Sequence, residues 1–266
     1  MSYRVPDHQL AFANHLADLA GAILRDKFAN PPIVETKADG SPVTDADRAV
    51  EQTIRAAINH AHPSHGIVGE EFPPEREGAE HVWIIDPLDG TKEYVQGLPL
   101  FGVLIALCRH GRFVLGLADQ PQLAHRWLGA DGHGTTRNCR PVHTRACAAL
   151  SDAVISTMGY DTFCADRHAL LASLRSQARS TVTADSFYVF GLLAEGRMDL
   201  IVSDHFALHD YAALEAIVRN AGGTATDWLG QPLSMASSGT ILAAGNATLH
   251  ADARAALRVA EHLHPT

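Results

Sequence analysis

The stretch WIIDPLDGTKEYV, at residues 83–95, constrains the fold more than any other part of the sequence. Its apolar start predicts a buried strand, and Asp86 and Asp89 follow in a turn that also contains Gly90. Two carboxylates that leave a buried strand repel each other and lose hydration unless a cation or a proton compensates. The sequence therefore predicts a core strand whose acidic end has a binding partner.

Other carboxylates also lie at the ends of predicted elements. Glu70 follows the short apolar run GIVG, with Glu71 beside it, and Asp210 opens a predicted helix over residues 210–221. If these side chains meet at one sheet edge, their oxygen atoms, with no His or Cys at ligand spacing, favour Mg²⁺, Mn²⁺ or Ca²⁺. The alternative is that Asp-x-x-Asp-Gly forms only a surface turn, since this composition is common in turns.

The residues after Asp89 favour the binding of an anion. Gly90 and Thr91 begin a predicted short helix, whose first backbone N–H groups have no partner within the helix and can bind a phosphate. The net charge of −9 disfavours nucleic acid as a partner, because nucleic-acid binding rests on basic surfaces. A metal ion beside this helix start would allow an acidic protein to hold an anionic substrate.

The pattern along the chain predicts a mixed α/β protein. Residues 30–44 are rich in turn formers and predict a loop or hairpin, and a helix follows with Thr44 as N-cap and Asp47 as its capping partner. Antiparallel hairpins are expected in the rest of the first half, and helices alternate with strands in the second. We expect two halves in one compact catalytic unit, with most metal ligands in residues 1–140 and with Asp210 and the substrate pocket in residues 141–266.

Three further features indicate a cytoplasmic protein. Apolar residues near the start follow helical spacing and do not form the uninterrupted run of a signal peptide. No run approaches the roughly 18 to 20 apolar residues of a membrane span, so no membrane partner is expected. The 4 cysteines are scattered without a C-x-x-C pair, which suits a reducing compartment.

Four motifs, taken together, resemble the inositol monophosphatase family of metal-dependent phosphatases. They are KADGSPVTDAD at residues 37–47, GEE at 69–71, WIIDPLDGTKEY at 83–94 and HDYAALEAIVRNAGG at 209–223. Residues 97–134 are most similar to the histidinol-phosphatase branch. The resemblance implies a layered α/β/α/β/α sandwich of the type shared with fructose-1,6-bisphosphatase, a homodimer, and two or three Mg²⁺ ions per site, with Mn²⁺ as a substitute and Li⁺ as an inhibitor.

The resemblance also implies a role for each matching residue. Two metal positions would be bound by Glu70, Asp86 and the Leu88 carbonyl, and by Asp86, Asp89 and Asp210. The phosphate would contact Gly90 and Thr91, and the attacking water would be oriented by Asp47 and Thr91 with Glu70 nearby. Lys37 would lie on a loop that closes the site. The implied reaction is direct in-line attack of a metal-activated water on a phosphate monoester.

The chain departs from the histidinol-phosphatase pattern where the leaving alcohol would bind. Ser203 replaces an acidic residue that binds substrate in relatives, and His209 is part of an altered lead-in to Asp210. An amino alcohol such as histidinol requires a nearby carboxylate. The candidates for the substrate pocket are Asp89, Asp185, Ser186, Ser203, Asp204 and His209.

Three readings of function therefore remain open. The first is a histidinol-phosphate phosphatase, and the second is a phosphatase for inositol phosphate or another small polyol, sugar or nucleoside monophosphate. The third is a catalytically silent metal-binding regulatory protein with the same fold.

Four histidines are expected to be solvated rather than to bind a transition metal, because they stand at turn-like positions: His81, His110, His125 and His133.

Overall fold

The computed structural model describes residues 3–38, 40–158, 165–184 and 186–263. Its helices are α1 (Asp7–Phe28), α2 (Asp45–Ala61), α3 (Thr91–Val95), α4 (Ala165–Gln177), α5 (Tyr188–Ala194), α6 (Leu208–Asn220) and α7 (Ala247–Leu263), with a 3₁₀ turn at Leu150–Asp152. Its strands are β1 (Val34–Thr36), β2 (Pro42–Thr44), β3 (Gly66–Gly69), β4 (His81–Asp89), β5 (Gly102–Arg109), β6 (Arg112–Gln120), β7 (His125–Ala130), β8 (Gly134–Arg137), β9 (Arg140–Val142), β10 (Val154–Thr157), β11 (Ser180–Val182), β12 (Leu200–Ser203), β13 (Thr224–Thr226) and β14 (Ile241–Ala244).

Two large sheets and three helical layers form most of the described part of the chain, and β1 and β2 form a separate two-stranded sheet. Strands β3 to β9 form one sheet in sequential order, antiparallel except for the parallel pair β3 and β4. The second sheet has the order β11-β10-β12-β14-β13. Buried residues of α1 and α2 cover one face of the first sheet, α5 and α6 lie between the sheets, and residues of α4 and α7 cover the outer face of the second.

Strand β4 is buried on both faces, as its apolar sequence predicts. Val82 and Ile84 pack in the cluster that contains α5 and α6, whereas Trp83 and Ile85 pack in the cluster that contains α1 and α2. Because successive side chains of a strand point to opposite faces, a run with no polar residue fits a central strand between two helical layers. This strand carries the chain from the core directly to Asp86.

The backbone of helix α6 packs directly against the first sheet, because two strands present glycine to it. A Cβ on Gly116 would lie 2.0 Å from the backbone oxygen of Ala213, and a Cβ on Gly129 would lie 2.7 Å from the Cα of Ile217. Any larger residue would push the helix away from the sheet. The glycines therefore set the position of the helix that carries Asp210.

Most of the elements predicted from the sequence are present. The hairpin of β1 and β2, the Thr44 cap of α2 and the hairpin around His110 and Gly111 are confirmed. The helix predicted over residues 210–221 begins two residues earlier, at Leu208. The first sheet extends to Val142, and the proposed division at residue 140 stays a prediction.

The expectation of solvated histidines is right for His110 but wrong for His125 and His133. The His125 Nδ1 lies 2.6 Å from the Tyr188 hydroxyl, and the His133 Nε2 lies 2.7 Å from the Val5 carbonyl oxygen. His81 begins β4 and stacks on His65 with ring centroids 4.9 Å apart. These contacts join segments distant in the sequence, so the local turn pattern could not predict them.

Candidate active site

The end of strand β4 is irregular, and this irregularity presents two carboxylates. Asp86 pairs with Leu104 in regular register, but the pairing then shifts until Asp89 lies opposite Gly102. The backbone N–H of Leu88 donates to the Asp86 carboxylate at 2.9 Å. Bulges of this kind change the direction of side chains at the end of a strand, which brings Asp86 and Asp89 together although they are three residues apart.

A third carboxylate reaches the same point from the other half of the chain. Asp210 lies in the first turn of α6, where it accepts a hydrogen bond from the Ala207 backbone N–H at 2.6 Å. Asp86, Asp89 and Asp210 each offer an oxygen atom, and these atoms all lie within 4.8 Å of one another. Oxygen donors at this separation fit a hard divalent cation such as Mg²⁺.

The charges in this cluster destabilise one another in the protein alone. Burial raises the pKa of Asp86 well above its usual value, and Glu70, Asp89 and Asp210 raise it further. Burial and the neighbouring Asp210 also raise the pKa of Asp89, although a hydrogen bond from the Phe187 backbone N–H opposes this. A divalent cation would remove the repulsion, so the donor set fits the metal that the resemblance implies.

Glu70 lies beside this cluster but is not part of the group of three. Its carboxylate accepts a hydrogen bond from the Lys37 Nζ at 2.6 Å, and the same Nζ donates to Glu71 at 2.6 Å. Burial lowers the pKa of Lys37, but these two hydrogen bonds outweigh it and raise the pKa overall. Lys37 therefore lies at the site, on the hairpin between β1 and β2.

His209 lies between the two groups of carboxylates. Its Nε2 is 3.5 Å from the Asp210 Oδ1 and 3.9 Å from the Glu70 Oε2. The sequence predicted a residue of the substrate pocket at this position. The structure places its ring beside the carboxylate cluster, within 3.9 Å of both Glu70 and Asp210.

Asp47 caps helix α2 as predicted, and its carboxylate also contacts the Thr91 side chain. One carboxylate oxygen accepts hydrogen bonds from the Thr44 backbone N–H at 2.8 Å and from the Thr44 hydroxyl at 2.5 Å, which completes the cap of α2. The other accepts from the Thr91 hydroxyl at 3.4 Å. Burial raises the pKa of Asp47 to about 6, the Thr44 hydrogen bonds oppose this, and the carboxylates of Glu71 and Glu70 raise it.

Gly90 connects the end of β4 to the short helix α3. Its φ of 85° is in the left-handed region, and a Cβ there would lie 2.9 Å from the backbone oxygen of Leu100. Glycine is therefore required at this position, because a side chain would disfavour the left-handed backbone conformation and would collide with the Leu100 carbonyl. Helix α3 has only 5 residues, so the backbone N–H groups of its first turn have no acceptor within the helix.

The predicted substrate residues differ in how the structure places them. Ser203 is fully buried, and its hydroxyl has no hydrogen-bond partner within the described ranges. The Asp204 carboxylate is buried, with one oxygen 3.2 Å from the His205 Nε2. The Ser186 hydroxyl donates to the Leu100 carbonyl at 3.3 Å. Asp185 lies outside the described residues.

Sequence reasoning missed two groups that support the site. The Phe187 backbone N–H donates to the Asp89 carboxylate at 3.3 Å, and the Glu51 carboxylate accepts from the Glu71 backbone N–H at 2.7 Å. A backbone donor has no sequence signal of its own. Glu51 could have been noticed as an acidic residue between Val50 and Ile54, on the apolar side of α2.

Comparisons with known proteins agree with this geometry. The model of the inositol monophosphatase family matches residues 6–262. The bifunctional phosphatase IMPL2, chloroplastic, of Arabidopsis thaliana is 36% identical over 256 residues, covering 93% of this chain and 74% of that protein. The histidinol-phosphatase of Streptomyces coelicolor is 35% identical over 261 residues, covering 92% and 96%. The structure of an inositol monophosphatase from Zymomonas mobilis has a TM-score of 0.86 and 38% identity, covering 95% of this chain and 98% of that one.

The two large sheets and the three helical layers form a layered sandwich like that of the solved neighbour, and the family match indicates a phosphatase. This chain belongs to the inositol monophosphatase family. The predicted fold and the predicted family are thereby confirmed. Within the described ranges, no helix combines the length and the apolar character needed to cross a bilayer.

Proposed function

We propose that this phosphatase is a Mg²⁺-dependent phosphate monoester hydrolase that acts on histidinol phosphate. The observation that carries the proposal is the meeting of Asp86, Asp89 and Asp210 within 4.8 Å in a chain of this family. The similarity to the histidinol-phosphatase of Streptomyces coelicolor supports the choice of substrate. The sequence of residues 97–134, which resembles the histidinol-phosphatase branch, supports it as well. The inositol monophosphatase from Zymomonas mobilis supports inositol phosphate as the second candidate.

The carboxylates would hold the metal ions in two positions. Glu70, Asp86 and the Leu88 carbonyl would provide one, and Asp86, Asp89 and Asp210 the other. Bound Mg²⁺ would supply Lewis acidity, which lowers the pKa of water and neutralises charge on the departing oxygen. Because Lys37 now pairs with Glu70, the lysine would have to move for Glu70 to bind a metal.

The residues around the cluster would position the two reactants. Asp47 and Thr91, whose side chains are joined at 3.4 Å, would orient the attacking water. The Thr91 hydroxyl oxygen lies closer to the Leu88 carbonyl oxygen, at 3.0 Å, so its single proton is shared between the two acceptors and Thr91 is held beside the end of β4. The N–H groups of Gly90 and Thr91 would bind phosphate oxygens in line with the water, so that the ester oxygen leaves on the opposite side.

The leaving alcohol would lie toward Ser203, Asp204 and His209. For histidinol, the Asp204 carboxylate would pair with the substrate ammonium, since Ser203 has no charge. Asp89, Ser186 and Asp185 complete the proposed pocket. For inositol, hydroxyl donors and acceptors would suffice without a carboxylate partner.

We further infer a cytoplasmic homodimer in which Mn²⁺ can replace Mg²⁺ and Li⁺ inhibits. The scattered cysteines support the compartment. An exposed apolar surface of Leu98, Leu100 and Leu123 supports association with a second copy. The Gln120 side chain, three residues before Leu123, donates to the Pro99 carbonyl between the other two leucines, so the three residues belong to one region.

A comparison of kcat/KM values tests the substrate. The panel contains histidinol phosphate, inositol 1-phosphate, a hexose phosphate and 3′-phosphoadenosine phosphate, each with Mg²⁺. We expect histidinol phosphate to be the best substrate by at least about tenfold, as a substrate-specific charge contact would give. A preference for inositol 1-phosphate would favour the second candidate, and no phosphate release from any ester would favour the silent metal-binding protein.

A further inference from the structure

The Glu51 carboxylate, on α2, is fully buried next to the loop that carries Glu70. Its side chain has an exposure of 0%, and the Arg55 Nε donates to it at 2.8 Å from one helical turn away. A buried ion pair gives little net stability, because desolvation offsets most of the attraction. The other contacts of this pair therefore indicate what it does.

Both members of the pair bind the backbone of the loop after β3. The Glu51 carboxylate accepts from the N–H of Glu71 at 2.7 Å and from the N–H of Phe72 at 3.3 Å. Arg55 donates to the Phe72 carbonyl oxygen at 2.8 Å. The residues immediately after Glu70 are therefore fixed by three hydrogen bonds from one ion pair.

The residue before Glu70 is fixed by close packing against the same carboxylate. A Cβ on Gly69 would lie 2.0 Å from the Glu51 Oε1, so only glycine allows this approach. The next loop contact is a bridge between Ile67 and Glu75, with two backbone hydrogen bonds of 2.8 Å. Arg55 also donates to the Glu75 side chain at 3.1 Å.

We propose that Glu51 is a positioning residue for the metal centre, which acts through the backbone of Glu71 and Phe72 to hold Glu70 at the site. The inference rests on the proposed function, in which Glu70 binds a metal. Groups that orient metal ligands commonly change metal affinity or activity by about 10- to 100-fold when they are replaced. Glu51 is fully buried behind the loop and is not one of the proposed metal ligands, so its effect should be on metal affinity more than on kcat at saturating metal.

Glu51→Gln tests the inference with almost no change in size. The Gln side chain has only one acceptor oxygen, and its NH₂ group would face N–H donors from the loop or from Arg55. We expect the Kd for Mn²⁺, measured by electron paramagnetic resonance without substrate, to rise at least about tenfold. The Mg²⁺ concentration for half-maximal phosphate release should rise in parallel, with kcat largely recovered at high Mg²⁺.

Asp199→Asn is the matched control. Asp199 is also fully buried, accepts from Arg145 at 2.7 and 2.5 Å and from the Val154 backbone N–H at 2.8 Å, and lies just before β12, at the opposite end from Ser203. Its replacement should lower the melting temperature and leave the Kd for Mn²⁺ unchanged. Hydrogen exchange of residues 69–75 in metal-free protein should accelerate in Glu51→Gln and not in Asp199→Asn.

Three outcomes would overturn parts of this reasoning, and each is distinct. An unchanged Kd for Mn²⁺ in Glu51→Gln, or an equal loss in Asp199→Asn, would overturn the role of Glu51 while leaving the proposed function intact. If Glu51→Gln does not fold, Arg55→Lys replaces it as the test, since lysine keeps the charge but lacks the planar set of guanidinium N–H donors. The Kd of Arg55→Lys for Mn²⁺ should then also rise. Failure of the unsubstituted chain to bind Mn²⁺ would overturn the proposed function itself.

Discussion

Removing charge from Asp86 should stabilise the metal-free protein while abolishing its activity. The side chain is only 2% exposed, and its carboxylate accepts the Leu88 N–H, a hydrogen bond that the carbonyl oxygen of Asp86→Asn can keep. The substitution therefore removes charge with little change in packing. A gain in stability together with a loss of activity would show that Asp86 belongs to a metal-binding cluster. Replacing an ordinary buried aspartate would lower stability instead.

The distances in the cluster set the size of the effect. Two unit charges 4.8 Å apart repel by about 3.5 kcal/mol at an effective dielectric constant of about 20. Burial and the neighbouring carboxylates raise the pKa of Asp86, which is the direction that this repulsion predicts. Because side chains can move apart and solvent screens part of the repulsion, we expect a net gain of about 1–3 kcal/mol. For a chain of 266 residues the melting temperature would rise by about 2–5 °C.

Calorimetry in EDTA at pH 7.5 measures this gain, and phosphate release with Mg²⁺ measures the loss of activity. Asp131→Asn is the control, because Asp131 is also buried but pairs with Arg219 at 2.6 Å and Arg112 at 3.2 Å. That variant should be less stable than the unsubstituted chain. A lower melting temperature for Asp86→Asn in EDTA, or near-normal turnover, would refute the proposed cluster.

Three further predictions concern pH, packing and specificity. Burial, with His62 and His81 nearby, lowers the pKa of His65 to about 4, so the unfolded chain binds more protons below about pH 6.5 and stability is lost as the pH falls from about 6.5 to 4. His65→Gln should reduce this loss by about 1–2 kcal/mol in urea unfolding at pH 4.5 and 7.5, allowing for partial exposure of the ring; an equal loss in both proteins would contradict it. Gly116→Ala should destabilise by about 1–3 kcal/mol in urea unfolding because α6 must move, and an unchanged midpoint would contradict this packing. Ser203→Glu should change the order of kcat/KM among the four esters more than it changes phosphate inhibition; an unchanged order would mean that the pocket lies elsewhere.

Local patterns in the sequence were sufficient for the main elements of the site. The apolar run before Asp86 could belong only to a buried segment, and the spacing of Thr44 and Asp47 is that of a capping box. Both features depend on residues within three or four positions of each other. The order of motifs along the chain then pointed to the family, and the fold followed from the family.

Contacts between distant segments could not be predicted in this way. Lys37 bonds to Glu70 and Glu71, 33 and 34 residues away, and the sequence suggested only a loop near the site. The Phe187 N–H reaches Asp89 across 98 residues. Ser203 was predicted to line the pocket because it differs from the family pattern. A difference of this kind identifies the residue, but it does not predict that the hydroxyl is buried without a hydrogen-bond partner in the described structure.

The position of α6 between the sheets has a consequence for how the chain would refold. Asp86 and Asp89 come from the first sheet, whereas Asp210 comes from a helix that also packs against the second, so neither sheet alone can assemble the cluster. A collapsed intermediate with correct strands but undocked layers would have no high-affinity cation site. Added Mg²⁺ should therefore leave the early phases of refolding unchanged and draw only the last docking step toward completion.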